Sequence, residues 1–281
     1  MHRYCLVVLL LVSLAGVLPT RAQNPWESLP PTPALPKPER TATAPVNGIR
    51  LWYAVFGHGS PVIFLHGGLA NSNYWGLQIP ALSSHFEVIV IDSRGHGRST
   101  RNGAPITYHQ MASDVVALMD VLHVPKAALV GWSDGAIIAL DIAIHHPERL
   151  TRIFVFAANS DLSGVKNVGA STVLEAYQSR TRAEYAKLSP TPTEFRAFLE
   201  QLKKMWDTEP HFSDEQLRGI KVPTWIVDGD HDELIKREDT DHMAQLIPGA
   251  GELILPRVSH FAFLQDPELF NQALLHFLSR P

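Results

Sequence analysis

Residues 127–146 read AALVGWSDGAIIALDIAIHH. The apolar run Ala127–Val130 has the length and continuous hydrophobicity of a buried strand. Gly131-Trp132-Ser133-Asp134-Gly135 then fits the pattern G-x-S-x-G, and the residues after it are apolar almost all round, as in a helix enclosed by a larger protein. Strand, sharp turn and helix make the setting in which a serine sits at the tip of a strained turn. Glycines on both sides let strand and helix approach without side-chain clash. Such a serine stands clear of the sheet beside a helix N-terminus, which favours negative charge. Ser133 is therefore the candidate nucleophile, and the rest of the chain must supply a base, an acid and an oxyanion hole.

Working outward, alternation sets the fold class. Residues 49–56 (IRLWYAVF), 62–65 and 86–91 (FEVIVI) have strand character, and 72–82 look helical. Between 107 and 124, Met111, Val115, Leu118, Met119 and Leu122 recur at helical spacing. Residues 151–157, 222–227 and 252–255 read as further strands, and 266–279 as a closing helix. Short apolar strands alternating with helices predict an α/β protein, its mostly parallel sheet covered by helices on both faces. Residues 159–218 break the alternation. They carry no strand pattern but helical stretches near 169–187 and 193–206, and so predict an inserted helical cap. Its Tyr177, Tyr185, Phe195, Phe198, Met205 and Trp206 are read first as packing between cap and core.

The first 45 residues stand apart. His2 and Arg3 precede the apolar run Leu6–Leu18, too short to span a bilayer comfortably, and Thr20-Arg21-Ala22 offers a small-residue cleavage site. Residues 1–22 are expected to be a signal peptide, with the mature protein secreted or periplasmic and without a stable membrane span. Cys5, the single cysteine, would leave with it, taking thiol chemistry and disulfides off the table. Residues 23–45 hold seven prolines and read as a semi-rigid linker, with the folded domain covering 46–281. The net charge of −4, without a basic block, gives nucleic-acid binding no electrostatic support.

A serine hydroxyl needs a base within hydrogen-bond reach. Open α/β sheets gather their ligand sites at the carboxyl ends of the strands, and His260 lies between the last strand and the closing helix. The base needs an acid to fix its tautomer. Asp228, Asp230, Asp232 and Glu233 compete after the 222–227 strand; Asp232, beyond the glycine, is free to turn toward the histidine and is chosen. The Asp/His spacing there, His231 included, fits no zinc or calcium pattern, so no metal is expected. Two backbone N–H groups must hold the oxyanion. Asp134 follows the nucleophile directly and supplies one; the second is placed at Gly68 in His66-Gly67-Gly68-Leu69 after the 62–65 strand, with Leu69 the neighbour that would replace it.

The order Ser133, Asp232, His260, with HGG, DSRGHGRS, GWSDG, GDHD and SHF, resembles serine hydrolases of the α/β-hydrolase superfamily over residues 46–281. GWSDG with a helical insertion is similar to the valacyclovir-hydrolase (biphenyl-hydrolase-like) and enol-lactonase branch. The departures are Ser259 where many relatives carry glycine, and Ala136 where many carry a second glycine. The resemblance implies an α/β-hydrolase fold, a small ester or lactone as substrate, no cofactor, and a structural role for the DSRGHGRS loop. Carbon–carbon bond hydrolysis and cofactor-free perhydrolysis use the same three residues and stay open, as does a non-catalytic ligand-binding protein on this fold.

Overall fold

A computed structural model describes residues 24–167, 169 and 171–280; the segment read as a signal peptide lies outside them. The strands are β1 (Arg40–Val46), β2 (Ile49–Phe56), β3 (Ser60–Leu65), β4 (Phe86–Ile91), β5 (Ala127–Trp132), β6 (Leu150–Phe156), β7 (Thr224–Gly229) and β8 (Gly251–Leu255). They form one eight-stranded sheet in the order β1-β2-β4-β3-β5-β6-β7-β8. β2 is antiparallel to β1 and β4, and the remaining pairs are parallel. The helices are α1 (Ile79–Leu82), α2 (Tyr108–Val121), α3 (Asp134–His145), α4 (Thr172–Leu188), α5 (Phe195–Trp206), α6 (Asp214–Gly219), α7 (Arg237–Leu246), α8 (Ala262–Gln265) and α9 (Pro267–Leu278).

The apolar runs read as buried strands are buried because successive side chains enter opposite cores. In β3, Ile63 and Leu65 join one core cluster, while Val62 and Phe64 join the other. In β5, Ala127 and Leu129 face the first, and Ala128, Val130 and Trp132 the second. Helices α2 and α3 cover the first face. Phe270, Leu274 and Phe277 of α9 close the second. The expected mostly parallel sheet with both faces covered is what forms. Helices α4, α5 and α6 follow β6 and precede β7, as the inserted cap requires.

The boundary at residue 46 needs correction. Residues 40–45, assigned to the linker, belong to β1, which pairs with β2 from Arg40↔Val55 to Val46↔Ile49. Asn47 (φ 44°) and Gly48 (φ 77°) make the turn between them, and Asn-Gly is the strongest short-range hairpin signal. Proline is tolerated in β1 because the strand lies at the sheet edge. Residues 24–39 are not a free tether either. They lie along the domain, with Leu29 and Leu35 packed against the second core cluster.

Candidate active site

Ser133 sits between β5 and α3 with φ 55° and ψ −122°, a left-handed conformation that L-residues avoid. Its surroundings dictate it. The Ser133 N–H donates to the Phe156 carbonyl at 2.9 Å, and its own carbonyl accepts from Ala136 and Ile137 to start α3. The flanking glycines are required by contact. A Cβ on Gly131 would lie 2.4 Å from the Gly135 carbonyl oxygen, and one on Gly135 would lie 2.1 Å from that of Leu65. The serine is thereby lifted onto the wall of a cavity of about 660 Å³, which Gly68, Asp134 and His260 also line.

His260 follows β8 and is buried, with its Nδ1 2.7 Å from Asp232 Oδ2. Asp232 Oδ1 accepts from the Leu234 and Ile235 N–H groups at 2.7 and 2.8 Å, so the carboxylate is fixed from both ends. The competing acids make other contacts, and Glu233 accepts from the His260 backbone N–H at 3.1 Å rather than from its ring. Asp228 accepts from Gly229 N–H and Thr240 Oγ1, while Asp230 pairs with His231 at 2.7 Å near the surface. Burial, then the charge of Asp232, pushes the Asp228 carboxyl well above the usual range. For Asp232, burial acts upward, but His260 and the Ile235 N–H outweigh it and hold its pKa low. Burial alone would depress the His260 pKa; the Asp232, Glu233 and Asp134 carboxylates reverse that and raise it above 6.5.

The HGG turn is held by a histidine that cannot easily charge. His66 Nδ1 bonds the Gly67 carbonyl at 2.8 Å, and Nε2 accepts from the Ser93 N–H at 3.0 Å. Burial, only partly offset by Asp92, lowers its pKa, which keeps the ring neutral and Nε2 an acceptor. Among the described residues, neither the Gly68 nor the Asp134 N–H donates within the protein. Tyr177 of α4 donates to the Gly68 carbonyl at 2.6 Å, fixing the opposite side of that residue. The Asp134 carboxylate accepts from Tyr108 Oη at 2.8 Å and from Trp206 Nε1 at 3.0 and 3.2 Å, which ties the end of α5 to the elbow. Burial pushes this carboxyl's pKa up, against those two hydrogen bonds and the His260 charge.

The DSRGHGRS loop braces the site without entering the cavity. Asp92 accepts from the Ser72 and Arg98 N–H groups, and Arg94 makes a buried two-pronged pair with Asp114 at 2.7 and 2.8 Å. The cap side chains divide. Tyr185, Phe198 and Met205 are buried in the core as read, but Tyr177 and Trp206 line the cavity, donating to the Gly68 carbonyl and the Asp134 carboxylate. Tyr108 was legible only as a helix residue, since nothing in its sequence context marks a hydroxyl aimed at Asp134. His109, Asp141 and His145 bring their ligand atoms within 4.8 Å of one another on α2 and α3, a group that could chelate a metal ion, but none lines the cavity.

Residues 60–194 match the α/β-hydrolase fold family. RutD of Caulobacter sp. (strain K31), a proposed carbamate hydrolase, is 30% identical over 257 residues, covering 79% of this chain and 94% of its own. The 3-oxoadipate enol-lactonase 2 of Acinetobacter baylyi is 25% identical over 260 residues, covering 85% and 96%. The meta-cleavage product hydrolase of Pseudomonas fluorescens IP01 shares the fold with a TM-score of 0.74 at 23% identity, covering 84% of this chain and 97% of that one. With the sheet order and the strained serine turn already in hand, these likenesses settle the family: the chain belongs to the α/β-hydrolases.

Proposed function

We propose that the protein is a serine hydrolase that cleaves a small carboxylic ester or lactone through an acyl-enzyme. The observation that carries this reading is the 2.7 Å contact between buried His260 and Asp232, with Ser133 and His260 on one cavity wall. His260 takes the Ser133 proton as Oγ attacks the carbonyl carbon. The N–H groups of Gly68 and Asp134 hold the oxyanion, where preorganised donors do most good. His260 then protonates the departing alkoxide and activates the water that releases the acid. Asp232 keeps Nδ1 protonated throughout, leaving Nε2 as the acceptor.

The cavity supports a largely apolar substrate. Leu69, Trp132, Leu162, Leu174, Trp206 and Ile235 are among the apolar side chains that supply most of its wall, with Glu175, Lys203, Asp207 and Glu209 also on it, and a volume of about 660 Å³ is in the usual range for small-molecule sites. The enol-lactonase relative adds lactones to the candidates. The apolar leader at residues 6–18 supports action outside the cytoplasm. The test uses the chain without residues 1–22, against p-nitrophenyl esters and lactones of graded size, with a fluorophosphonate label. Ser133→Ala is expected to abolish turnover and labelling with the fold intact. Wild-type turnover in that variant would end the proposal, and ligand binding without labelling in the wild type would identify a binding protein instead.

A further inference from the structure

Residues 24–39 open on a 3₁₀ turn at Pro25–Glu27 and then carry, over 31–37, a pattern that a trailing tether would not have. Exposure recurs at Pro31, Ala34 and Lys37, every third residue, while the positions between them are half-buried. That is the period of a polyproline II helix with two of its three faces packed. The domain has a seat cut for it: a Cβ on Gly76 would lie 2.5 Å from the Ala34 carbonyl oxygen and 3.0 Å from Pro33 Cβ.

The middle of this segment, Leu29 to Thr32, grips cap helix α4. Arg180 donates to the Pro30 and Leu29 carbonyls at 2.6 and 2.9 Å. Glu184, one turn on, accepts from Thr32 Oγ1 at 2.6 Å and, through its other oxygen, from Asn71 at 3.0 Å in the chain just after Gly68. One turn back is Tyr177, whose hydroxyl holds the Gly68 carbonyl. Its N-terminal end, Trp26 to Ser28, grips the loops of the base and acid. Gln265 donates to the Ser28 carbonyl at 2.8 Å, and the same side chain holds the Ser259 N–H and Oγ, directly before His260. Trp26 stacks on His231, beside Asp232, with ring centroids 3.9 Å apart, and Arg257 lies over its ring at 5.7 Å.

We infer that residues 24–39 are a strap that sets the distance between the oxyanion turn and the His260 loop, making Trp26, Arg180 and Gln265 positioning residues for the hydrolysis. The inference rests on the proposed acyl-enzyme chemistry, because the two ends it joins are the oxyanion donor and the base of that chemistry. Nucleophile attack is sensitive to such spacing: a displacement of about 1 Å far from the reacting atoms can cost on the order of a hundredfold.

The test is made in the chain beginning at residue 23, with the triple variant Trp26→Ala, Leu29→Ala, Arg180→Met, which removes the stack, one apolar anchor and both Arg180 hydrogen bonds. Hydrogen exchange is expected to rise in residues 24–39, 172–188 and 257–265 while the central sheet stays protected. kcat and the fluorophosphonate labelling rate are expected to fall about tenfold or more, with KM changed less. Trp26→Phe, which keeps a ring on His231, should retain most of the rate. A freed strap with unchanged kcat and labelling would overturn the inference, as would a strap that stays docked in the triple variant. Exchange at 172–188 and 257–265 reads the coupling without any turnover, so failure of the proposed chemistry, seen as an unlabelled wild type, is told apart from failure of the strap.

Discussion

Replacing Asp232 with asparagine tests the electrostatic centre of the site with almost no change of shape. The geometry dictates which way the new amide must face. Asp232 Oδ1 accepts two backbone N–H groups at 2.7 and 2.8 Å, so the asparagine oxygen takes that position and its NH₂ turns toward His260. An NH₂ cannot accept from a protonated Nδ1. The imidazole must then carry its proton on Nε2 and accept at Nδ1, which removes the lone pair that would take the Ser133 proton. In a Ser-His-Asp triad, that reversal of tautomer lowers kcat by about 10⁴-fold, or ~5 kcal/mol of barrier. Burial, which opposes a charged imidazole, also loses its main counterweight, so the residual activity should depend on a lower pKa than in the wild type. The assay is steady-state hydrolysis of p-nitrophenyl butyrate near pH 8, with circular dichroism to confirm the fold. Asp230→Asn, which alters the surface pair with His231, serves as the matched control and should remain near wild-type rate. A loss below about tenfold in Asp232→Asn would refute the assignment of the acid.

Two further outcomes follow from the geometry of the site and its elbow. Because neighbouring carboxylates raise the His260 pKa above 6.5, the base stays protonated and inactive to a higher pH than a free imidazole would; kcat/KM should fall on the acid side with a midpoint above 6.5, and a midpoint at or below that value contradicts the electrostatics. Gly131→Ala would push a methyl group to 2.4 Å from a backbone oxygen and 2.5 Å from the Ala136 Cα, neither of which can swing aside, so urea melts should show a loss of about 3 kcal/mol. Gly103→Ala, with nothing within 4 Å among the described residues, should be neutral in the same assay.

The elbow was readable in the sequence because its pattern is short. A Cβ on Gly131 would strike the Gly135 carbonyl four residues on, one on Gly135 would strike the Leu65 carbonyl at the end of β3, and the serine between them takes the strained backbone. The contact between Asp232 and His260 was legible for a different reason: the chain must leave β7 and turn before a carboxylate can face the end of β8, and Asp232 is where the turn allows it. What the sequence did not carry was the second role of side chains that also pack. Tyr177 and Trp206 have the composition of ordinary cap aromatics, and only the three-dimensional position of their polar tips, on Gly68 O and Asp134, separates them from Tyr185 and Phe198.

The N-terminal segment packs despite its proline density because proline constrains hydrogen bonding, not packing. Proline removes N–H donors, which disqualifies a central strand or a helix interior but not an edge strand or an extended segment laid on a surface. Asn47-Gly48 was the signal that a strand preceded Ile49, and it outweighs the single Pro45 because a hairpin turn with both central residues at positive φ is hard to explain without two strands to join. For residues 24–39 the corresponding signal was the spacing of Trp26, Leu29 and Leu35 among the prolines. Large apolar side chains in an extended proline-rich segment have nothing to gain from solvent. Proline fixes φ along the segment before it docks, so packing those three side chains is opposed by less conformational entropy than packing them from a flexible chain. The composition that made the segment look like a spacer is what makes it cheap to hold against the cap and the His260 loop.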